Sequence, residues 1–479
     1  MNPALAASRT AWQESILPVL CDYVRIPNVS SAYDSDWRAA GHMMRAAEML
    51  RDWCAAQPVQ GMKVELLQHD DLSPVILVDI AACGTDRDDT VLLYGHLDKQ
   101  PEMTGWREGL GPWEPVIENG RLYGRGGADD GYSLFASVTA IAIAQAEGRP
   151  HARCVVLIEA SEESGSIDLP AWLDILGDRL GNPSLVICLD SGCLDYDRMW
   201  VTTSLRGLAD GVLRVDVLEE GVHSGDASGV VPSSFRIARA LLDRIEDSAT
   251  GEIILPELNV EIPAHRVAEA QETAAEFPEP IAGHFPMVGD LTPMTDDPAG
   301  QLLNRTWRPT LSVTGADGWP PVTRAGNVLR PFTSLLLSFR LPPTCNSHVA
   351  LEAVRSALTT DTPHNSSVTF GSGHAADGWD APAPEPWLTE SLIAASMATF
   401  GNPSRNYGEG GSIPFMGMLG SRYPRAQFVI TGVLGPGANA HGPNEFLHID
   451  CAEKLTAAIS LILSDHARSL ILSDHARRP

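Results

Sequence analysis

VLLYGHLDKQP (91–101) is the stretch that decides the fold. It opens with an apolar run, Val91 to Gly95, and breaks abruptly into His96-Leu97-Asp98. Three other runs have the same character: VILVDIA (75–81), VVLIEA (155–160) and LVICLD (185–190). Short, continuous apolar runs of this kind suit strands buried on both faces. Between the second and third in chain order, Asp130 to Gly148 reads as a helix with a glycine stop. Strands and helices in alternation predict an α/β domain with a largely parallel sheet. FVITGVLG (428–435) reads as a further strand of it.

The middle of the chain has a different rhythm. Strands are expected near 208–219, 309–314, 332–341 and 366–370, with helices near 233–247 and 346–359. That order, β-α-β-β-α-β, matches a small ferredoxin-like α+β domain. The segment 254–305, rich in Pro, Glu and Ala, does not fit it and reads as an embellishment or long loop. GWDAPAPEPW (378–387) reads as a linker, because its prolines interrupt both helix and strand. The expected organisation is therefore one discontinuous domain, 1–207 and 381–479, carrying an inserted domain, 208–380. At the end, SLILSDHAR occurs twice, at 460–468 and 469–477. A nine-residue repeat is too short for a solenoid unit, and His466 and His475 read as tail residues rather than ligands.

Bulk properties narrow the function. The 479 residues are 44% hydrophobic, enough for a substantial core, and carry a formal net charge of −27. Such an acidic surface repels phosphate backbones and excludes nucleic-acid binding as a reading. The eight cysteines include no CxxC pair and several sit in apolar runs. They read as buried free thiols in a reducing compartment, the cytoplasm. The N-terminus lacks a basic region followed by an apolar block, so it reads as an amphipathic helix rather than a signal peptide. The longest nearly uncharged stretch, Ser133 to Ala146, is too short to span a bilayer.

Several apolar runs end in groups that can bind metal. Val91–Gly95 is followed by His96 and Asp98, VVLIEAS by Glu162-Glu163, and LVICL by Asp190. Open α/β sheets gather their sites at the carboxyl ends of strands. Asp129-Asp130 follows the glycine-rich GRGGA (124–128), and His441 lies in GPGANAHGPNE (435–445), which has too much Gly and Pro for helix or strand. Singly, each has a plainer explanation. Asp129 fits a helix N-cap, Glu162-Glu163 a solvated pair, Asp190 a turn former. Together, imidazoles and carboxylates in these positions suit two divalent cations: zinc, with manganese or cobalt as alternatives.

The motifs GHLDKQP (95–101), GRGGADD (124–130), EASEESGS (159–166), CLDSG (188–192), VHSG (222–225), SFRLPP (338–343), EGGSIP (409–414) and AHGPNE (440–445) follow one another in a known order. In this the chain resembles, from about Leu92 to Glu445, the dinuclear zinc hydrolases that include carnosinases, bacterial dipeptidases, glutamate carboxypeptidases, aminoacylases and succinyl-diaminopimelate desuccinylases. SFRLPP and EGGSIP make it most like the carnosinase-like, nonspecific dipeptidase branch. The resemblance implies a catalytic domain of the zinc-exopeptidase type, with the inserted domain as lid and dimerisation surface of a homodimer.

The resemblance also implies roles. Asp129 would bridge two metals, with His96 and Asp190 completing one site and Glu163 and His441 the other. Glu162 would be the general base, and Asp98 would hold the His96 imidazole. His223 would stabilise the oxyanion in a neighbouring subunit's site. Arg340 would bind the substrate carboxylate, helped by Ser412, the backbone of Glu409-Gly410-Gly411, and Asn327. Asp rather than Glu at 190 leans toward the family's aminopeptidase and dipeptidase members, away from its glutamate carboxypeptidases and desuccinylases. The implied reaction is hydrolysis of a dipeptide amide bond. The alternatives are an N-acyl-amino-acid amidohydrolase with the same site and a non-catalytic peptide-binding homologue. One departure stands out: the family's Asp-Asp-Lys-Gly is here Asp129-Asp130-Gly131-Tyr132. The loss of that lysine is expected to spare metal binding and to alter helix packing or substrate choice. His374 has no role in the pattern.

Overall fold

The structure, a computed structural model, describes residues 2–85, 88–277, 281–285, 287–371 and 373–477. The chain divides into two compact units. One comprises Met1–Thr202, Ala381–Asn406 and Met418–Pro479; the other comprises Thr203–Asp380 and Tyr407–Gly417.

The first unit is built on a six-stranded sheet. Its order is Met62–Leu67, Val75–Ile80, Arg153–Glu159, Thr90–His96, Pro183–Cys188, Gln427–Ile430. The last three pairings are parallel and the first two antiparallel, so the sheet is mixed with a parallel half. All seven residues of Thr90–His96 are buried, as a doubly covered strand requires. The helix Ser133–Ala146 has eleven buried residues of its fourteen, which explains why its sequence is apolar on every side. Trp12, Ile16, Phe135, Leu455 and Ile459 pack with the strand residues in one core. The strand expected over 428–435 stops at Ile430. Beyond it the chain still runs beside its neighbour, with an isolated parallel bridge between Gly192 and Leu434, and it passes so close at Gly432 that an added Cβ would lie 1.9 Å from the Ser191 carbonyl oxygen.

Register sets up the site. His96 pairs with Glu159, and Tyr94 pairs with Cys188, so three parallel strands finish at one edge. The Leu97 amide continues the ladder to the Glu159 carbonyl at 2.9 Å. Everything that follows those strands emerges on the same side.

The second unit holds the strands Gly207–Asp216, Thr310–Asp317, Phe332–Leu341 and Ser367–Gly371 with helices Ser234–Leu242 and Ser347–Thr359. The sheet runs second-third-first-fourth, all antiparallel. This is the ferredoxin-like arrangement, with each element within a few residues of its expected place. The alternating burial of Gly207–Asp216 shows why: one face is core and the other is not.

Three expectations need correction. The segment 254–305 is not simply a loop, since it contains the helices Ala264–Glu276 and Pro298–Thr306. The stretch 407–417, expected in the first domain, belongs with the second unit. There Gly408 lies against Thr306, and the loop after it is hydrogen-bonded to Arg206. His466 is not a tail residue. It is buried, its Nε2 lies 2.9 Å from Ser184 Oγ, and its ring packs at 5.5 Å from that of Trp387. Both copies of SLILSDHAR fall in the helix Ile449–Arg477; the His475 side chain lies outside the described residues.

Candidate active site

The sheet edge brings together every residue expected to hold metal. His96 is the last residue of its strand, Glu162 and Glu163 lie three and four residues beyond Glu159, and Asp190 lies two beyond Cys188. A glycine precedes His96 because the Asp130 turn passes so close. A Cβ at Gly95 would sit 2.1 Å from Ser133 Oγ and 2.6 Å from Asp130 Oδ2. The Asp129–Asp130 peptide is cis.

Asp129 stands between two histidines. Its Oδ1 lies 3.3 Å from His96 Nε2, and its Oδ2 lies 3.0 Å from His441 Nε2. Asp190 approaches His96 Nε2 at 3.7 Å, and Glu163 approaches His441 Nε2 at 3.3 Å. Two triads result, His96/Asp129/Asp190 and Asp129/Glu163/His441, each with its ligand atoms within 4.8 Å of one another and sharing Asp129.

The electrostatics say what such a cluster needs. Asp98, Asp129, Asp130, Glu163 and Asp190 are all buried. Burial, reinforced by neighbouring carboxylates, pushes Glu162, Glu163 and Asp130 well above the usual carboxylate range. Asp190 is pushed up to about 7 by burial, against the pull of His96. Burial acts on Asp129 in the same sense, but its hydrogen bonds to His441 and His96 more than offset this and hold it low. Burial would lower His96, yet Asp190, Asp129 and Asp98 raise it well above normal. A cluster with so few cations is costly to bury in its charged form. Two divalent ions would relieve it, and imidazole with carboxylate is the donor set for them. The residues present fit two such ions.

Asp98 does more than expected. The His96 Nδ1–H donates to the Asp98 carbonyl at 3.1 Å, with the carboxylate at 3.4 Å. The Asp98 carboxylate itself accepts the backbone N–H of Glu162 at 3.1 Å and of Glu163 at 3.0 Å. One side chain thus fixes both the imidazole and the Glu162-Glu163 turn.

Three positioning residues had been quoted inside motifs without a role. Arg125 donates to the carbonyls of His441 at 3.0 Å and Gly442 at 2.9 Å and forms a fully buried ion pair with Glu445. Glu445 in turn accepts the Gly126 N–H at 2.9 Å. This clamp holds His441, whose φ is +64°. Gln100 donates to Glu163 at 2.6 Å. The available signal was their place in GRGGADD, AHGPNE and GHLDKQP.

The departure at Gly131 matches its surroundings. A Cβ there would lie 2.2 Å from the Tyr23 ring and 2.5 Å from the Gly126 carbonyl, so a lysine would enter only if these groups shifted. Tyr23 is held by its hydroxyl, which donates to Leu97 O at 2.6 Å, and by the buried Lys99 ammonium 4.0 Å above its ring.

In the second unit the residues expected at the substrate separate into two groups. Arg340 donates to Ser412 Oγ at 3.0 Å, beside Glu409, Gly410 and Gly411. His223 lies on a short ribbon, where Val222–His223 pairs with Val328–Leu329 and the Ser224 amide donates to Asn327 O at 3.0 Å. The His223 side chain is 67% exposed, and its Nδ1 lies 3.6 Å from the Asp226 carboxylate. Its neighbour Gly225 leaves room for the ring, since a Cβ there would come 2.8 Å from His223 Cε1. His374 makes an exposed pair with Asp210 at 3.1 Å. No helix among the described residues is long and apolar enough to cross a membrane.

Comparison with known proteins agrees with this geometry. Residues 92–465 match the model of the peptidase family M20/M25/M40. The chain is 26% identical over 371 residues to a cysteinylglycine-S-conjugate dipeptidase of Corynebacterium striatum, covering 76% of this chain and 79% of that one. It is 26% identical over 328 residues to the Beta-Ala-His dipeptidase of Mus musculus, covering 66% of this chain and 64% of the relative, slightly under two thirds of its length. The solved structure of the di-peptidase Dug1p from Saccharomyces cerevisiae shares the fold. Its TM-score is 0.75 at 22% identity, covering 98% of this chain and 99% of that one. The chain is a metallopeptidase and belongs to the peptidase family M20/M25/M40.

Proposed function

We propose that this chain hydrolyses the amide bond of dipeptides, with His96, Asp129 and Asp190 holding one divalent ion and Asp129, Glu163 and His441 the other. The observation that carries the reading is Asp129, whose two carboxylate oxygens each face a different histidine. The names of the relatives, both dipeptidases, support the substrate class. Two bound ions would supply a water acidified toward neutral pH and a polarised scissile carbonyl.

The chain's own residues do the rest. Glu162 takes the proton of the attacking water and returns it to the leaving amine. Burial favours its protonated form, which suits the second of those steps. Asp98 holds Glu162 in place through its amide. Arg340 receives the substrate's carboxylate. Zinc is our choice of metal, since imidazole and carboxylate are its common donors. Eight free thiols support a cytoplasmic setting. A homodimer is proposed through the inserted unit, with His223 acting in the partner's site. The exposure of that ring favours such a use. A fully active monomer would contradict it.

The test is hydrolysis of a panel of dipeptides and N-acyl amino acids by metal-stripped protein, before and after adding zinc or manganese. Activity restored by metal on dipeptides supports the proposal. Turnover of N-acyl amino acids alone would shift it to amidohydrolase. Two bound metals without turnover of either class would favour a binding homologue.

A further inference from the structure

Arg206 is a half-buried guanidinium with no carboxylate to pair with among the described residues. Its Nε–H donates to the Gly410 carbonyl at 3.0 Å and its Nη1–H to Thr310 Oγ1 at 3.2 Å. Its backbone N–H donates to Gly411 O at 3.0 Å, and its carbonyl accepts the Ser412 hydroxyl at 2.5 Å. Arg206 therefore grips the 410–412 loop from both main chain and side chain.

Two consequences follow. A serine hydroxyl has one proton to give, and Ser412 gives it to Arg206. Ser412 cannot also donate to a carboxylate; it accepts from Arg340 at 3.0 Å and so fixes that guanidinium. The local charge is also unbalanced. Arg305 is matched by Glu409 at 3.3 Å, which also accepts the Tyr407 hydroxyl at 2.6 Å. Among the described residues, Arg206 and Arg340 have no such match. Burial, then Arg340, then Arg305 lower the Arg206 pKa to about 9.

We infer that Arg206 is a specificity-determining, positioning residue which, through its grip on Gly410–Ser412 and its uncompensated charge beside Arg340, makes the enzyme demand a free carboxylate on its substrate. The inference rests on the proposed reading of Arg340 as the carboxylate ligand. It adds a second cation to that site and moves Ser412 from substrate ligand to holder of Arg340.

The experiment compares Ala-Gly with its amide, Ala-Gly-NH2, on the metal-loaded wild type and on Arg206→Met, Arg206→Lys and Arg340→Met. The wild type should prefer the acid strongly. Arg206→Met should raise KM for the acid about 10- to 100-fold, the value of a lost charge-assisted contact, with kcat changed little. The amide should be unaffected, so the preference shrinks. Arg206→Lys keeps the charge without the two-point grip and should fall between, and it stands in if Arg206→Met does not fold. A wild type that does not discriminate, with or without turnover, overturns the carboxylate reading beneath the inference. A wild type that discriminates, with Arg206 variants that discriminate as well, overturns the role of Arg206 alone. An equal loss on acid and amide would reduce Arg206 to a structural residue.

Discussion

At the scale of single residues, adjacent carboxylates are given different work by backbone direction. Glu163 faces His441 at 3.3 Å and accepts from Gln100, whereas Glu162 stands outside both triads. Glu162→Gln keeps the shape and removes the carboxylate proposed as the base. It should lower kcat about 10²- to 10⁴-fold while two metals per chain remain bound, read by elemental analysis beside steady-state kinetics. Asp98→Asn should do something else, because that carboxylate accepts two backbone amides as well as facing His96. The amide side chain offers one acceptor oxygen in place of two, so both metal affinity and kcat should drop, the metal affinity by about 10- to 100-fold. Unchanged metal affinity in Asp98→Asn would show that the carbonyl of residue 98 alone orients His96.

At the scale of elements, the loop carrying His441 depends on a buried pair that touches no ligand side chain. Arg125 spans Glu445 and the carbonyls of His441 and Gly442. Arg125→Met leaves Glu445 buried and unpaired, a change that costs about 3–5 kcal/mol. Thermal melts should show that loss, and dialysed protein should retain closer to one metal than two. Two metals retained at wild-type affinity would rule out the clamp. Gly131→Lys, which restores the family's residue, should destabilise the fold by about 1–3 kcal/mol, since its Cβ meets the Tyr23 ring and the Gly126 carbonyl. A neutral result in the melt would mean that Tyr23 can move aside.

At the scale of the whole molecule, the buried acid cluster sets how stability responds to pH and metal. Burial raises Asp190, Glu159 and Glu445 to about 7. Their carboxyls in the unfolded chain titrate near 4. Between these values the folded metal-free protein binds more protons than the unfolded one, so stability falls as pH rises from about 4 to 7. Metal binds the deprotonated ligands and should stabilise more at pH 7.5 than at pH 5.5. Melting temperatures of stripped and loaded protein at both pH values test this. A stripped protein that grows more stable toward pH 7 would contradict it.

The sequence by itself pointed to the apolar strands, the two periodicities and the five residues proposed to hold metal, because each leaves a local mark. A strand covered on both faces must be apolar throughout, and a strand with one core face must alternate. A glycine must sit where a neighbouring segment leaves no room for a Cβ, as at Gly95, against the Ser133 and Asp130 side chains. Tertiary structure decided what depends on partners distant in the chain. Arg125 and Glu445 are 320 residues apart, and only folding makes their charges a clamp. Residue 432 must be glycine because the Ser191 backbone, 241 residues earlier, lies against it. Tyr407–Gly417 joins the inserted unit because Arg206 and Thr306 hold it there. His466, polar and near the end of the chain, is buried because Ser184 and Trp387 meet it. Periodicity records burial, which each residue expresses in its own side chain, but it records nothing about which two residues will share a hydrogen bond.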